Sequence, residues 1–185
     1  MNIDLKNKIT FISGMNGSGK SYFTKNALLP NYRCLVHDPL KEYPKNRCDV
    51  FEPKLNYPDI AEENEEIINK IVIPNCKKYD LLVYEEASRT FPNSKPLYPV
   101  MRSFFDTYRH YGNLGLVFIC RRPAQIFTDI PALSHYQFNF GNKGLADINT
   151  LNSISQGLGD AVAQLKDHAY VFVDQDRSYK IMPPI

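Results

Sequence analysis

One eight-residue segment near the amino terminus constrains this chain more than any other part of its sequence. Residues 14–21 read Gly-Met-Asn-Gly-Ser-Gly-Lys-Ser, which satisfies the pattern G-x-x-x-x-G-K-[ST] in full. The segment follows an apolar run at 8–13 and precedes residues 21–29, which have the composition of a helix stopped by Pro30. A strand, a glycine-rich turn and a helix in that order are the context of a phosphate-binding loop. We therefore predict a P-loop that binds ATP.

Each fixed position of this pattern has a chemical reason. Glycines leave room for phosphate oxygens to reach the backbone N–H groups, and they permit positive φ angles. The Lys20 ammonium would contact the β- and γ-phosphates, and the Ser21 hydroxyl would complete the coordination of Mg²⁺. The following helix directs the positive end of its dipole at the anion. The nucleotide-binding residues predicted on this basis are Gly14, Met15, Asn16, Gly17, Ser18, Gly19, Lys20, Ser21 and Tyr22.

A pair of carboxylates follows a second apolar run. Residues 80–85 form a predicted buried strand that ends in Glu85, and Glu86 comes next. P-loop enzymes hold Mg²⁺ with an acidic residue at the end of a neighbouring strand, usually through water, and we assign that role to Glu85. We assign Glu86 the role of general base for the attacking water. The first acid of such pairs is usually Asp, so Glu85 changes the reach to the metal. Two surface glutamates at a strand end are the alternative.

Strands and helices alternate along the rest of the chain. This alternation predicts an α/β fold of the RecA-like P-loop type, with a mostly parallel central sheet, flanking helices and a C-terminal β-hairpin, in a single domain over residues 1–185. Ligands of such sheets bind at the carboxyl ends of the strands. The predicted strands are 8–13, 33–37, 80–85, 114–120, 136–140, 169–173 and 179–182, and the predicted helices are 21–29, 59–72, 99–111 and 147–154.

Composition excludes a largely disordered chain and a small scaffold held together by disulfides. Apolar residues make up 43% and charged residues 23% of the chain, which is ordinary for a globular domain. The net charge of +2 does not by itself indicate a nucleic-acid-binding protein. The cysteines form no CxxC pair, which favours a reducing compartment, and neither a signal sequence nor a membrane span is evident. We expect a cytoplasmic location.

Three further segments carry a family resemblance. Residues 37–43 (His-Asp-Pro-Leu-Lys-Glu-Tyr) are similar to an Asp-Pro-x-x-Glu-Tyr segment, and residues 108–112 (Tyr-Arg-His-Tyr-Gly) to an Arg-x-x-Gly segment that precedes an apolar strand. Residues 120–123 (Cys-Arg-Arg-Pro) stand where Thr-Gln-Arg-Pro is usual. In this order the segments resemble the FtsK–HerA superfamily of DNA-pumping ATPases, and most closely the genome-packaging ATPases of tailless, membrane-containing viruses.

The resemblance covers nearly the whole chain and implies a function. Members of the family hydrolyse ATP with Mg²⁺, assemble into rings, often of six subunits, and move double-stranded DNA through the centre. A viral genome-packaging motor of this kind would work in the host cytoplasm, with or without a place in the virion, and could dock on a capsid or membrane vertex protein. Alternatives are a filamentous-phage assembly ATPase resembling zonula occludens toxin, a small-molecule kinase, and a nucleotide-binding switch without turnover.

The resemblance also singles out three arginines. Arg121 replaces the family's Gln sensor of the γ-phosphate, so its guanidinium would contact phosphate or face DNA. Ring ATPases usually complete each site with an Arg from the next subunit. Arg109, in the Arg-x-x-Gly segment, is the first candidate for this arginine finger, and Arg102 is the second. An ordinary surface position is the alternative for each.

Overall fold

The computed structural model describes residues 3–54 and 60–185, and within them a central sheet of eight strands. The strands are β1 (Ile9–Ser13), β2 (Cys34–His37), β3 (Asp49–Phe51), β4 (Leu81–Tyr84), β5 (Gly115–Cys120), β6 (Tyr136–Phe140), β7 (Tyr170–Val173) and β8 (Tyr179–Met182). Their order across the sheet is β3-β2-β4-β5-β1-β6-β7-β8. All neighbours from β3 to β6 are parallel, whereas β7 and β8 form an antiparallel hairpin. The predicted α/β class, mostly parallel sheet and closing hairpin are confirmed.

Helices connect the strands. They are α1 (Lys20–Phe23, continued by the π-helical segment Thr24–Leu28), α2 (Ile60–Glu65, continued by Glu66–Val72), α3 (Ala87–Thr90), α4 (Pro99–Thr107, followed by the 3₁₀ turn Tyr108–His110), α5 (Asp129–Leu133), α6 (Leu145–Ile154) and α7 (Leu158–Ala163), with a further 3₁₀ turn at Pro123–Gln125. The predicted helix 59–72 begins one residue outside the described part of the chain. In that part, no helix has the length and apolar character needed to cross a membrane.

The central strands are buried on both faces, which is why they read as continuous apolar runs in the sequence. Successive side chains of one strand point to opposite faces. Phe11 and Phe118 therefore belong to the apolar cluster beneath α2 and α4, whereas Ile12 and Val117 belong to the cluster beneath α1. Helices on both faces leave the ends of the strands as the accessible part of the sheet.

Several short elements were missed by the sequence predictions. These are the three-residue strand β3 at one edge of the sheet and the short helices α3, α5 and α7. A segment of three to six residues is too short to show a periodic apolar pattern. Such elements form because their neighbours provide a surface: α7, for example, packs on β7 and α6.

The parallel strands bring the glycine-rich loop, the acidic pair and Arg121 to one edge of the sheet. We call the carboxyl edge the end where β1, β4 and β5 finish at Ser13, Tyr84 and Cys120, and the amino edge the opposite end. The strand of the acidic pair, β4, is not the direct neighbour of β1, because β5 lies between them. Any contact between the glycine-rich loop and the acidic pair must therefore cross the tip of β5.

Candidate functional site

The glycine-rich loop joins β1 to α1 at the carboxyl edge and is fastened to β6. The Met15 N–H donates to the Gly141 carbonyl over 3.0 Å. Gly14 has a φ of +148°, and a Cβ atom there would lie 2.6 Å from Cβ of Phe140. Gly19, with a φ of +109°, turns the chain into α1. Only glycine fits such backbone conformations without strain, so the loop is specified by its sequence.

Lys20 lies folded back over this loop. It is only 7% exposed, and its Nζ donates to the carbonyls of Gly14 at 2.7 Å and Met15 at 3.1 Å. Burial lowers the pKa of Lys20, and the nearby carboxylate of Glu85 acts in the opposite direction. The ammonium is thus held where an anion bound by the loop would meet it.

The remaining loop residues present groups suited to phosphate. Met15, Asn16 and Gly17 are exposed, and Ser21 is partly exposed in the first turn of α1. The Ser18 Oγ is buried and has no hydrogen-bond partner among the residues that the structure describes. A buried hydroxyl of this kind is normally paired. The Ser18 hydroxyl is therefore available to donate a hydrogen bond to a phosphate oxygen.

Glu85 follows β4 and is almost fully buried, at 3% exposure. Burial raises the pKa of Glu85 to about 7, while the hydrogen bond from Tyr43 and the charge of Lys20 act in the opposite direction. The Tyr43 hydroxyl donates to Oε2 of Glu85 over 2.5 Å. The negative charge of Glu85 is thus only partly compensated within the chain. A divalent cation bound beside it would compensate the rest.

The contact of Tyr43 with Glu85 was not among the sequence predictions. Its backbone N–H donates to Oδ2 of the buried Asp38 over 2.8 Å, which fixes the turn after β2. Asp38 and Tyr43 are the first and last residues of the Asp-Pro-x-x-Glu-Tyr segment, so the motif itself was the signal. Glu42 between them is exposed, and its charge also acts to raise the pKa of Glu85.

Glu86 adopts a strained backbone and is held by an arginine. Its φ of +49° and ψ of +45° lie in the left-handed region, which is unfavourable for a residue other than glycine. The Nε of Arg121, directly after β5, lies 2.8 Å from Oε1 and 2.9 Å from Oε2 of Glu86. The sequence interpretation expected Arg121 to contact phosphate or DNA. In this structure its partner is Glu86, which follows the neighbouring strand β4.

A buried network behind the acidic pair was also missed. Arg89 on α3 donates to both carboxylate oxygens of Glu63, at 2.9 and 3.0 Å, and Nε2 of His37 lies 2.5 Å from Oε1 of Glu63. Although burial acts to raise it, the hydrogen bonds from His37 and Arg89 lower the pKa of Glu63. The network ties α3 to α2 and β2, and thereby anchors the segment that carries Glu86.

The two candidate arginine fingers lie outside this cluster. Arg109 is near the amino edge, where its Nη2 lies 3.2 Å from Nε2 of His135 and its Nε donates to the Tyr108 hydroxyl. Arg102 is an exposed residue of α4, with Nη1 4.0 Å from Oδ2 of Asp129. Neither reaches the loop of its own chain, so a role for either requires a second subunit and stays a prediction.

The oxygen donors of the site fit the requirements of Mg²⁺. No group of three or more His, Cys, Asp or Glu side chains that could hold a metal occurs among residues 3–54 and 60–185. Mg²⁺ does not need one, because it is usually held by one or two protein oxygens, water and the phosphates of its nucleotide. The hydroxyl of Ser21 and the incompletely compensated carboxylate of Glu85 fit this requirement.

A cleft of about 470 Å³ lies between the loop and Glu86. Met15 and Asn16 line one side, and Glu86 and Arg121 line another. The structure therefore brings the glycine-rich loop, a buried carboxylate and an ion-paired carboxylate to one place. This combination can bind a polyphosphate and provide a base beside it.

Comparisons with known proteins support the fold. No family model matches the sequence, and no curated protein matches it. A solved structure of the genome packaging NTPase of Sulfolobus turreted icosahedral virus 2 in complex with AMPPCP matches with a TM-score of 0.84 and 19% identity, and the match covers 100% of both chains. The DNA-packaging ATPase of Sulfolobus turreted icosahedral virus matches with a TM-score of 0.78 and 18% identity over 98% of this chain and 99% of that one.

More distant matches follow. VirB4 of Thermoanaerobacter pseudethanolicus gives a TM-score of 0.56 at 16% identity, with 75% of this chain and 41% of that chain covered. The N-terminal domain of zonular occludens toxin from Neisseria meningitidis reaches a TM-score of only 0.44, too low to support the phage-assembly alternative. The resemblance inferred from the sequence is confirmed at the level of the fold: this chain shares, from end to end, the architecture of the viral genome-packaging NTPases that it matches.

Proposed function

We propose that this chain is an ATPase that moves double-stranded DNA, as the packaging motor of a virus. The observation that carries the proposal is the grouping of Lys20, Glu85 and Glu86 around one glycine-rich loop, in a fold shared along its whole length with packaging NTPases. The buried Lys20 and the strained Glu86 are unfavourable for folding alone, and such features concentrate at functional sites.

The loop and Lys20 bind the triphosphate in this proposal. Backbone N–H groups of the loop that are not bonded within the chain would surround the phosphates, and the Lys20 ammonium would stabilise negative charge on the β- and γ-phosphates. Ser21 and Glu85 would hold Mg²⁺, which supplies positive charge to the phosphate oxygens when bound.

Glu86 acts as the general base. It accepts a proton from water as the water oxygen bonds to the γ-phosphorus and the bond from that phosphorus to the β–γ bridging oxygen breaks. Arg121 orients the carboxylate through its Nε, and it lines the cleft next to the loop, where a γ-phosphate would be bound. Tyr43 keeps Glu85 in place.

Assembly and DNA movement form the finer part of the proposal. A ring of several copies, with six as the family's usual number, would bring Arg109 or Arg102 of one subunit to the site of the next. Double-stranded DNA would pass through the ring, and a capsid or membrane vertex protein would recruit it. The packaging role of the two viral proteins that match end to end supports this part.

Steady-state ATP hydrolysis with and without duplex DNA tests the proposal. We expect the wild-type chain to hydrolyse ATP, duplex DNA to increase the rate, and Glu86→Gln to bind ATP but hydrolyse it far more slowly than the wild type. A wild-type protein that hydrolyses no nucleotide under either condition would overturn the motor. Transfer of phosphate to a nucleoside monophosphate would identify a small-molecule kinase instead.

A further inference from the structure

Four basic side chains from different parts of the chain meet at the amino edge of the sheet, opposite the glycine-rich loop. Lys8 directly precedes β1 and His135 directly precedes β6, and these two strands are parallel neighbours. Arg109 lies in the 3₁₀ turn after α4. Arg177 lies in the turn between β7 and β8, and because β7 is antiparallel to β6 this turn returns to the same edge. We call these four residues the basic cluster.

The hydrogen bonds of His135 determine which of its ring nitrogens carries the proton. Its Nδ1 accepts a hydrogen bond from the backbone N–H of Ile9 over 3.1 Å, so Nδ1 carries no proton. The proton of the neutral ring is therefore on Nε2, which faces Nη2 of Arg109 at 3.2 Å. Two N–H groups cannot donate to each other. An oxygen atom that accepts from both would satisfy them.

Arg177 brings a further donor to the cluster. Its Nη2 donates to the carbonyl of Ala132. Its Nη1 is buried and has no hydrogen-bond partner among residues 3–54 and 60–185. Buried donors are normally paired, and one that is not calls for an acceptor from outside the chain.

The charges of the cluster are not compensated by carboxylates. Burial lowers the pKa of His135, and the charges of Lys8, Arg109 and Arg177 act in the same direction. None of these three cations forms an ion pair with a carboxylate in the described part of the chain. The carboxylate of Asp174, in the same hairpin turn as Arg177, accepts hydrogen bonds within that turn instead. The cluster therefore favours a negatively charged ligand.

We propose that the basic cluster binds a phosphate group. The tetrahedral oxygens of a phosphate can accept hydrogen bonds from His135 Nε2 and from the guanidinium groups of Arg109 and Arg177, and Lys8 adds a further positive charge. All four residues belong to one chain, so the site is complete without a second subunit, unlike an arginine finger. It also needs no nucleotide in the glycine-rich loop and goes beyond the proposed function. Inorganic phosphate and the backbone of duplex DNA both present such a group.

Titration of the intact chain with inorganic phosphate, followed by NMR of the histidine side chains, tests the inference. His135→Gln identifies the signals of His135 among those of the four histidines. We expect phosphate to shift the His135 signals in a saturable way, because the bound oxygen accepts a hydrogen bond from the ring. Sodium chloride at equal ionic strength, which only screens charges, should not produce this saturable shift.

Substitutions then show whether the cluster holds the phosphate. Arg109→Gln and Lys8→Gln each remove one charge, and each is expected to weaken phosphate binding at least about tenfold, the usual strength of a hydrogen bond to a charged group. Arg47→Gln, at an exposed arginine outside the cluster, is the matched control and should bind phosphate as the wild type does. Lys20→Ala, in the glycine-rich loop, should leave the response of His135 unchanged, which separates the two sites.

A second titration, with short duplex DNA, distinguishes the two sources of the phosphate group. If the DNA backbone supplies it, the duplex shifts the same His135 signals. Arg109→Gln then also lowers the slope of log affinity against log salt concentration by about one. If the signals respond to inorganic phosphate alone, the site takes a free phosphate.

Two results would overturn the phosphate site. The first is a set of His135 signals that neither inorganic phosphate nor duplex DNA shifts in a saturable way. The second is an equal loss of phosphate affinity in Arg47→Gln and Arg109→Gln, since net charge alone would then explain the binding. Either result would leave the proposed ATPase activity standing, because that activity is measured separately.

Discussion

Strand β4 has a carboxylate at each end, and the two have opposite environments. Asp80, at the amino edge, accepts hydrogen bonds from the backbone N–H, Nε and Nη2 of Arg33 and lies 3.2 Å from Nζ of Lys6. The Arg33 guanidinium holds the pKa of Asp80 well below its usual range. Glu85, at the carboxyl edge, is buried instead, and burial raises its pKa to about 7.

The difference shows which end of β4 stabilises the fold and which is prepared for a ligand. Asp80 has its charge compensated within the chain, so it favours folding above about pH 4. Glu85 binds a proton more tightly in the folded chain than in the unfolded one. Between about pH 4.5 and 7 it therefore makes the fold less stable as pH rises. The left-handed backbone of Glu86, at the same edge, also lowers the stability of the fold.

Glu86→Gln tests the catalytic side of the comparison and should have the largest effect. Loss of the general base is expected to lower kcat for ATP hydrolysis by about 10² to 10⁴. Binding of ATP and the melting temperature should change little, because Gln is nearly isosteric. Asp80→Asn, a charge-removing change at the other end of β4, is the control and should hydrolyse ATP at the wild-type rate. If kcat fell equally in the two variants, the loss would reflect disturbed folding and not the removal of a general base.

Glu85→Gln should separate function from stability. We expect about 10- to 100-fold weaker Mg²⁺-dependent nucleotide binding, the usual consequence of disturbing a metal site. In the absence of divalent cations, the melting temperature at pH 8 should be equal to or higher than that of the wild type, because a buried charge has been removed. The wild type's loss of stability between pH 5 and 7 should also flatten. A lower melting temperature at pH 8 would contradict the assignment.

Asp80→Asn should show the reverse pattern. Removing the carboxylate that binds Arg33 and Lys6 is expected to lower the melting temperature at pH 7 by about 2–6 °C, since partly exposed ion pairs are weak. Because the folded pKa of Asp80 is depressed, this stabilisation decreases progressively as pH falls from about 4 towards the folded pKa, so the difference in melting temperature between the two proteins should shrink over that range. Thermal melts of the wild type and of Asp80→Asn from pH 2.5 to 7 measure this difference. A difference in melting temperature that stays constant over that range would contradict the role given to Asp80.

Tyr43→Phe should have the smallest effect. The Tyr43 hydroxyl favours the ionised form of Glu85, so its removal is expected to raise the pKa of Glu85 further, by less than about one unit. A ¹³C NMR titration of the glutamate carboxyls in metal-free protein would measure the shift. Tyr136→Phe, at a tyrosine on β6, is the matched control. A downward shift would contradict the role given to Tyr43.

Local patterns were sufficient to predict much of the fold. The strands that flank the loop and the acidic pair were predicted to within one residue at each end, because they are continuous apolar runs bounded by polar residues. The glycine-rich loop was recognisable because its backbone requires specific residue types at fixed spacing. Short elements such as β3 and α3 depend on their neighbours and leave no pattern of their own.

The contacts within the site could not be predicted in the same way. Arg121 meets Glu86 over 35 positions of sequence, and Tyr43 meets Glu85 over 42. Such pairs depend on which strands lie side by side and on how the loops leave them. The sequence indicated that these residues belong to one edge, but the partner of each side chain followed only from the three-dimensional arrangement.

The position of β5 between β1 and β4 has a consequence for how this protein can vary. Insertions in the surface loops leave the spacing of the site unchanged, whereas deletion of one residue within β5 would turn every later side chain of that strand to the opposite face. Arg122 would then occupy the place of Arg121 beside Glu86, and the charged Arg121 would enter the buried place of Cys120. Lineages that preserve turnover should therefore tolerate length changes in the surface loops but not along this strand.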